Sequence, residues 1–180
     1  MMLCPALALA VLAAPPPTAG SRLVKETAYA RVALAQSLTR DPAVKDAVTA
    51  KNASGETLDE IQRKDTYWIT HPRDPLRQAI VQAPCSKKLK DLVKGDAVIV
   101  EAFAMDKQGA LVCSINETSD YWQGDEAKWQ RTYQEGKDPF VDEPAFDASS
   151  GTYAIQVSVP MFGTPGQRIG ALTLTLKLRR

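Results

Sequence analysis

The sequence is short of the residues that hold metals. Its 180 residues include one histidine and three cysteines. His71 stands alone in ITHPRDP, a loop by its two prolines, and no CxxC or His/Cys grouping occurs, so nothing supports a zinc or haem site. No excess of either charge is present: 22 Lys and Arg face 21 Asp and Glu, for a net charge of +1. That balance gives no reason to expect nucleic acid as a partner. The one dense basic run, SKKLKDLVK over 86–94, reads as a solvated helix face. Catalytic signatures are missing as well: no Gly-x-Ser-x-Gly elbow and no HExxH. Asp142 and Glu143 are adjacent in a loop where nothing orients one as acid and the other as base. A non-catalytic protein without a cofactor is expected.

Long hydrophobic runs are absent beyond the N-terminus. MMLCPALALAVLAAPPPTAG is apolar from Met1 to Ala14, breaks at three prolines and ends in small residues. A spanning helix needs roughly 20 apolar residues, so the segment is too short to remain in a bilayer. It reads as a secretory signal over 1–20, cleaved between Ala14 and Gly20, although no Lys or Arg precedes Arg22 to form a positive n-region. A periplasmic or secreted location follows. Cys85 and Cys113 then remain, in a compartment that permits a disulfide; two buried thiols fit the sequence equally well.

What is present divides the chain in two. Over 21–96 the pattern is helical. Leu23, Ala30, Leu34 and Leu38 recur near helical spacing, with Val24, Ala28 and Val32 beside them, in a long N-terminal helix, Ser21 to Leu38. Asp41 before Pro42 marks an N-cap with proline in the first turn, and further helices are expected to Lys51, over 56–68, and in 76–94. Over 97–180 the texture is that of strands. AVIVEAFAMD and ALVCSI flank a KQG turn, and a helix is expected over 125–134. TYAIQVSVPMF alternates apolar and polar, and RIGALTLTLKL sets Thr173 and Thr175 against Leu172, Leu174 and Leu176. Short turns make these neighbours antiparallel. The class is α+β: an antiparallel sheet with the long helix on one face and a loop-helix segment covering the other.

That covering segment is the densest in chemistry. TSDYWQGDEAKWQRTY, 118–133, holds two of the three tryptophans and two of the five tyrosines. With AMDKQGALVCSI, SDYWQGDEAKW, FDASSGTYAIQVSVPM and GQRIGAL, in that order over 97–178, the chain resembles the extracytoplasmic PAS-like sensor domains of the Cache or PDC type. The resemblance implies a PAS-like sheet and sensing by binding. The ligand would be a small polar metabolite such as an amine, amino acid or carboxylate, held between sheet and covering segment. It also implies a membrane receptor or signalling protein as partner.

The ring candidates for such a pocket are Tyr121, Trp122, Trp129 and Tyr133, since each offers an apolar face and a polar tip. A cationic amine over an indole face gains roughly 0.5–2 kcal/mol, and Asp125 or Asp147 would neutralise it; Tyr153 completes the expected ligand-binding set. By position the resemblance makes Trp129 the ligand-contacting aromatic and Asp147 the acid of a Tyr-Asp turn. Where many amino-acid-binding members carry an arginine, this chain has Glu126, Ala127 and Lys128, which favours an amine or neutral ligand. Plainer roles compete. Trp129 and Tyr133, four apart on a helix, also suit a core. Asp147 suits a hairpin cap, Asp120 an N-cap, and Asp125 and Glu126 the first helical turn. Asp106 in MDKQG reads as a turn cap with no ligand role. A second class of function is an accessory protein docking through its first helix, which could also pair two copies. The polar outward residues Lys25, Glu26, Arg31 and Gln36 argue against a large apolar docking stripe.

Overall fold

A computed structural model describes residues 21–147 and 151–178; the expected signal segment lies outside the described residues. Local chemistry sets the helix starts. Asp41 accepts the Ala43 N–H at 3.0 Å and Pro42 opens α3, Pro42–Ala53. Asp74 and Pro75 repeat the device at α5, Pro75–Gln82. Thr57 and Glu60 form a reciprocal capping box at the start of α4, Leu58–Thr70. A last helix, α6, spans Pro84–Val93.

The expected long first helix is two helices. α1, Ser21–Tyr29, and α2, Val32–Leu38, are separated by a tight step in which the Arg31 N–H bonds the Ala28 carbonyl. At that step the Arg31 guanidinium grips Asp96 with two bonds, of 2.8 and 3.3 Å. The break therefore sits where the helix layer is tied to the approach to the first strand.

Six strands make one antiparallel sheet: β1 Ile99–Met105, β2 Leu111–Ser114, β3 Phe140–Val141, β4 Ala145–Asp147, β5 Thr152–Phe162 and β6 Arg168–Lys177. Their order is β2-β1-β6-β5-β3, with β4 also on β5. The alternation expected in the last two strands is present. Ile155, Val157, Val159, Leu172, Leu174 and Leu176 are fully buried in one aliphatic core with Ala102 and Ala104, packed by residues of α1, α2, α3 and α6. Burying each of the larger side chains contributes about 1.5–3 kcal/mol. A register shift between Ile99 and Glu101 reverses the parity of β1. Ile99 joins the aliphatic core, whereas Glu101 falls on the opposite face with Phe103. Cys85 of α6 and Cys113 of β2 form a disulfide, with Cα atoms 5.7 Å apart.

The covering segment departs from the expected helix over 125–134. Only Ala127–Trp129 is α-helical (α7), and Gln130–Gln134 continues as a π turn packed against β5 and β6. The segment is pinned before that. The backbone N–H groups of Tyr121 and Trp122 both donate to one carboxylate oxygen of Asp65, at 2.8 and 2.9 Å, and the Gln123 N–H bonds the Gly109 carbonyl. A Cβ on Gly109, whose φ is +85°, would stand 2.4 Å from the Gly124 Cα, so the crossing needs glycine.

Candidate functional site

The second face of the sheet is as buried as the first, and beside the apolar cluster of Phe103, Met105 and Ala171 it carries a polar row. Thr175 Oγ1 donates to Glu101 Oε2 at 2.7 Å and accepts from Gln156 Nε2 at 3.2 Å. Ser158 and Thr173 share a hydroxyl hydrogen bond of 2.8 Å. Glu101, Ser158, Thr173 and Thr175 are all buried. Buried polar groups cost free energy unless matched; these are matched by one another.

Over this face lies a cavity of about 300 Å³. The sheet contributes Glu101, Phe103 and Gln156, and β4 contributes Asp147. The covering segment contributes Thr118, Ser119, Asp120, Gln123, Glu126 and Lys128. Its loop is braced from within: Gln123 Nε2 and Thr118 Oγ1 donate to the Asp120 carbonyl at 2.9 and 2.7 Å, and Ser119 Oγ to the Asp120 carboxylate at 2.6 Å. The Trp68 indole donates to the Thr118 carbonyl from below at 3.0 Å. Among the described residues Lys128 is the one cation on the wall. Its side chain is 8% exposed, its Nζ lies 2.5 Å from Glu126, and it sits 5.4 Å from the centre of the Phe103 ring. Four carboxylates thus line the cavity with a single lysine already paired to one of them. The field inside favours a cationic guest.

Of the seven residues expected at the site, Asp147 lines this cavity, and its carboxylate shares the sheet face of Gln156 through the Asp147–Thr152 pairing. The other six are placed elsewhere. Tyr121 is buried against Trp68, ring centres 5.9 Å apart, and its hydroxyl lies 2.9 Å from Lys51 Nζ; burial raises that phenol above its ordinary 10.0. Trp122 donates its indole N–H to the Gln108 carbonyl at 2.8 Å. Trp129 donates to the Asp106 carbonyl at 3.0 Å and stacks on Tyr133 at 5.0 Å, in a core cluster with Phe103 and Met105. Burial raises the Tyr133 phenol. Asp125 is exposed on the outer side of the segment. Tyr153 lies on the Ile155 side of β5, away from the cavity, and meets the edge of Phe146 at 5.7 Å. The rings expected as an aromatic wall do not line this cavity. Indole N–H groups need an acceptor when buried, and the carbonyls of the β1–β2 turn supply it, drawing the rings inward.

Asp106 caps that turn, accepting the N–H groups of Gln108 and Ala110 at 2.8 and 2.9 Å, while burial pushes its carboxyl above the ordinary 3.8. Asp120 stands in the loop rather than at a helix start, and Glu126 takes the N-cap position of α7 without a capping bond. Glu101 and Gln156 were not anticipated, and Lys128 was named only as one of three residues standing where an arginine would be. A lone acid inside AVIVEAFAM was the one available signal. Among the described residues no group of His, Cys, Asp or Glu has the arrangement of a metal site.

No protein-family model and no curated protein matches the sequence. Solved structures do match the fold. The sensor domain of DcuS from E. coli is 12% identical, with a TM-score of 0.52 over 85% of this chain and 90% of that one. The chain shares the PAS-like antiparallel-sheet fold of that domain. The extracellular domain of the histidine kinase vpHK1S-Z8 has the same fold at 8% identity, with a TM-score of 0.51 over 87% of this chain and 54% of that one. The sensor domain of the histidine kinase DctB from V. cholerae is 11% identical, with a TM-score of 0.46 over 87% of this chain. The chain spans half the length of that DctB domain. In this fold the polar cavity lies between the sheet and the segment that covers it. Among the described residues no helix is long and apolar enough to cross a membrane.

Proposed function

We propose that this is an extracytoplasmic sensor domain that binds a small amine-bearing metabolite in the polar cavity and does no chemistry on it. One observation carries the reading: four carboxylates and a buried, already paired lysine around about 300 Å³. An ammonium group entering from water must exchange its hydration for acceptors. Glu101, held by Thr175, with Asp120 and Asp147, offers them; Gln123 and Gln156 serve a neutral polar end. The volume is at the lower limit for a small-molecule site. The Cache/PDC-type fold and the Cys85–Cys113 bridge support a periplasmic or secreted setting, where the bound state would be read by a membrane receptor or signalling protein.

The test is a thermal-shift screen of primary amines, quaternary amines, amino acids and dicarboxylates, followed by calorimetric titration of each hit. The expected result is a saturable rise in Tm with an amine, lost in Glu101→Gln. Dicarboxylates binding where amines do not would overturn the ligand class. No hit in any class would favour the accessory-protein reading instead.

A further inference from the structure

A second concavity, of about 560 Å³, lies at the end of the sheet where the β1–β2 and β5–β6 turns meet α3. It shares no lining residue with the polar cavity. Its charge is of the opposite sign: Lys45, Lys107 and Arg168 face a single acid, Asp46. These three cations come from three different elements, α3, the β1–β2 turn and the start of β6.

Several cations elsewhere are matched to acids: Arg31 to Asp96, Lys51 and Lys64 to Glu56, Arg77 to Glu117, Lys128 to Glu126. Among the described residues none of Lys45, Lys107 and Arg168 forms an ion pair. Lys45 and Lys107 are instead aimed by neutral carbonyls, Lys45 Nζ by Gly163 at 2.7 Å and Lys107 Nζ by Asn52 at 3.3 Å. A carbonyl fixes the direction of an ammonium without cancelling its charge. The walls are fixed as well. Asn52 donates through Nδ2 to the Ile169 carbonyl at 2.6 Å and accepts the Lys107 backbone N–H at 3.0 Å, clasping both turns to α3. A Cβ on Gly170 would stand 2.0 Å from the Met105 carbonyl oxygen, so this close approach of β6 to β1 needs glycine. A neighbouring concavity shares Lys45 and adds Arg40.

Like charges held together by a rigid frame are destabilising until an anion joins them. Two ammonium groups and a guanidinium fork match a dianionic, tetrahedral group better than a single carboxylate. We propose that this groove binds a phosphate group, carried by a soluble phosphorylated molecule or by an anionic phospholipid headgroup. The near-neutral total charge of the chain hides the site, because the acids that balance it lie around the polar cavity and in ion pairs elsewhere.

The test uses pyrophosphate as the soluble probe and sedimentation with vesicles of phosphatidylcholine alone or mixed with phosphatidylglycerol. Expected is saturable binding to pyrophosphate or to the anionic vesicles only, weakened at least tenfold by Lys107→Gln or Arg168→Gln and abolished by Lys107→Glu. Lys107 is exposed, so a melting curve unchanged from wild type will show that Lys107→Glu still folds. Pyrophosphate binding identifies a soluble ligand, and binding to anionic vesicles alone identifies the headgroup. Binding that survives Lys107→Glu, or no binding to either probe, overturns the proposal.

Discussion

The two faces of the sheet are built on the same strands and buried to the same degree, yet one carries Leu172, Leu174 and Leu176 and the other Thr173, Thr175 and Glu101. The aliphatic face gains from every ångström of contact with the helices. The polar face gains little from burial, because its hydroxyls and carboxylate only exchange water for one another. Stability alone does not call for such a face. It is what a chain needs if that side must receive a polar guest. The comparison makes two separable quantities: damage to the first face should appear in unfolding, and damage to the second in binding.

The largest expected effect is on the aliphatic side. Leu174→Ala removes a fully buried side chain and should cost about 3 kcal/mol in urea-induced unfolding, within the range for such truncations. Amine affinity of the folded variant should stay within about twofold, a change worth less than 1 kcal/mol. An equal loss of affinity would mean that the faces are coupled through the strand. Next comes Glu101→Gln. Removing the buried charge while keeping the shape should weaken amine binding about thirtyfold, or about 2 kcal/mol, with stability changed by less than about 1 kcal/mol. Calorimetry and a melting curve on the same sample separate the two.

Third is Arg31→Met, which removes the clamp between the helix layer and Asp96, each side chain about a quarter exposed. A partly buried, two-bond pair contributes more than a surface bridge, so a loss of about 1–2 kcal/mol near neutral pH is expected. The hydrogen bond from Arg31 holds the Asp96 carboxyl below its ordinary 3.8. A depressed acid stabilises the fold above its unfolded value and loses that contribution as pH falls through the folded one. Wild type and Arg31→Met should therefore converge as pH drops below 3.8. Parallel stability curves down to that range would show that the pair does not carry the difference.

Much of this contrast was written in the sequence. TYAIQVSVPMF and ALTLTLKL state the alternation outright, and period two leaves no freedom about which residues share a face. The helix starts at Asp41 and Asp74 follow from local chemistry as well. The site was harder. Trp122 and Trp129 on the covering segment suggest a wall, but their indoles answer to the carbonyls of Gln108 and Asp106. Those acceptors exist only once the β1–β2 turn is folded beneath them. Glu101 is the lone acid in AVIVEAFAM and was not expected at the site; strict alternation would put it beside Ile99. The register shift that separates them has no marker in AVIVEAFAM. Lys128 appeared as the residue in an arginine's place, and its burial over Phe103 depends on a π turn that periodicity does not announce.

The smallest effect is the sharpest test of the comparison. Ser158 and Thr173 are fully buried and bonded to each other at 2.8 Å, across β5 and β6. Ser158→Ala alone leaves the Thr173 hydroxyl without its partner, and Thr173→Val alone strands Ser158, so each single change should cost about 1–2 kcal/mol. Ser158→Ala with Thr173→Val removes both hydroxyls and nearly conserves shape, so it should lie within about 0.5 kcal/mol of wild type. The double-mutant cycle then gives a coupling close to the sum of the two single losses. If instead the double variant is as unstable as that sum, the polar face is stabilising in its own right and needs no guest to explain it. A neutral double variant would leave binding as the remaining reason for hydroxyls at the centre of a sheet whose other face is an apolar core.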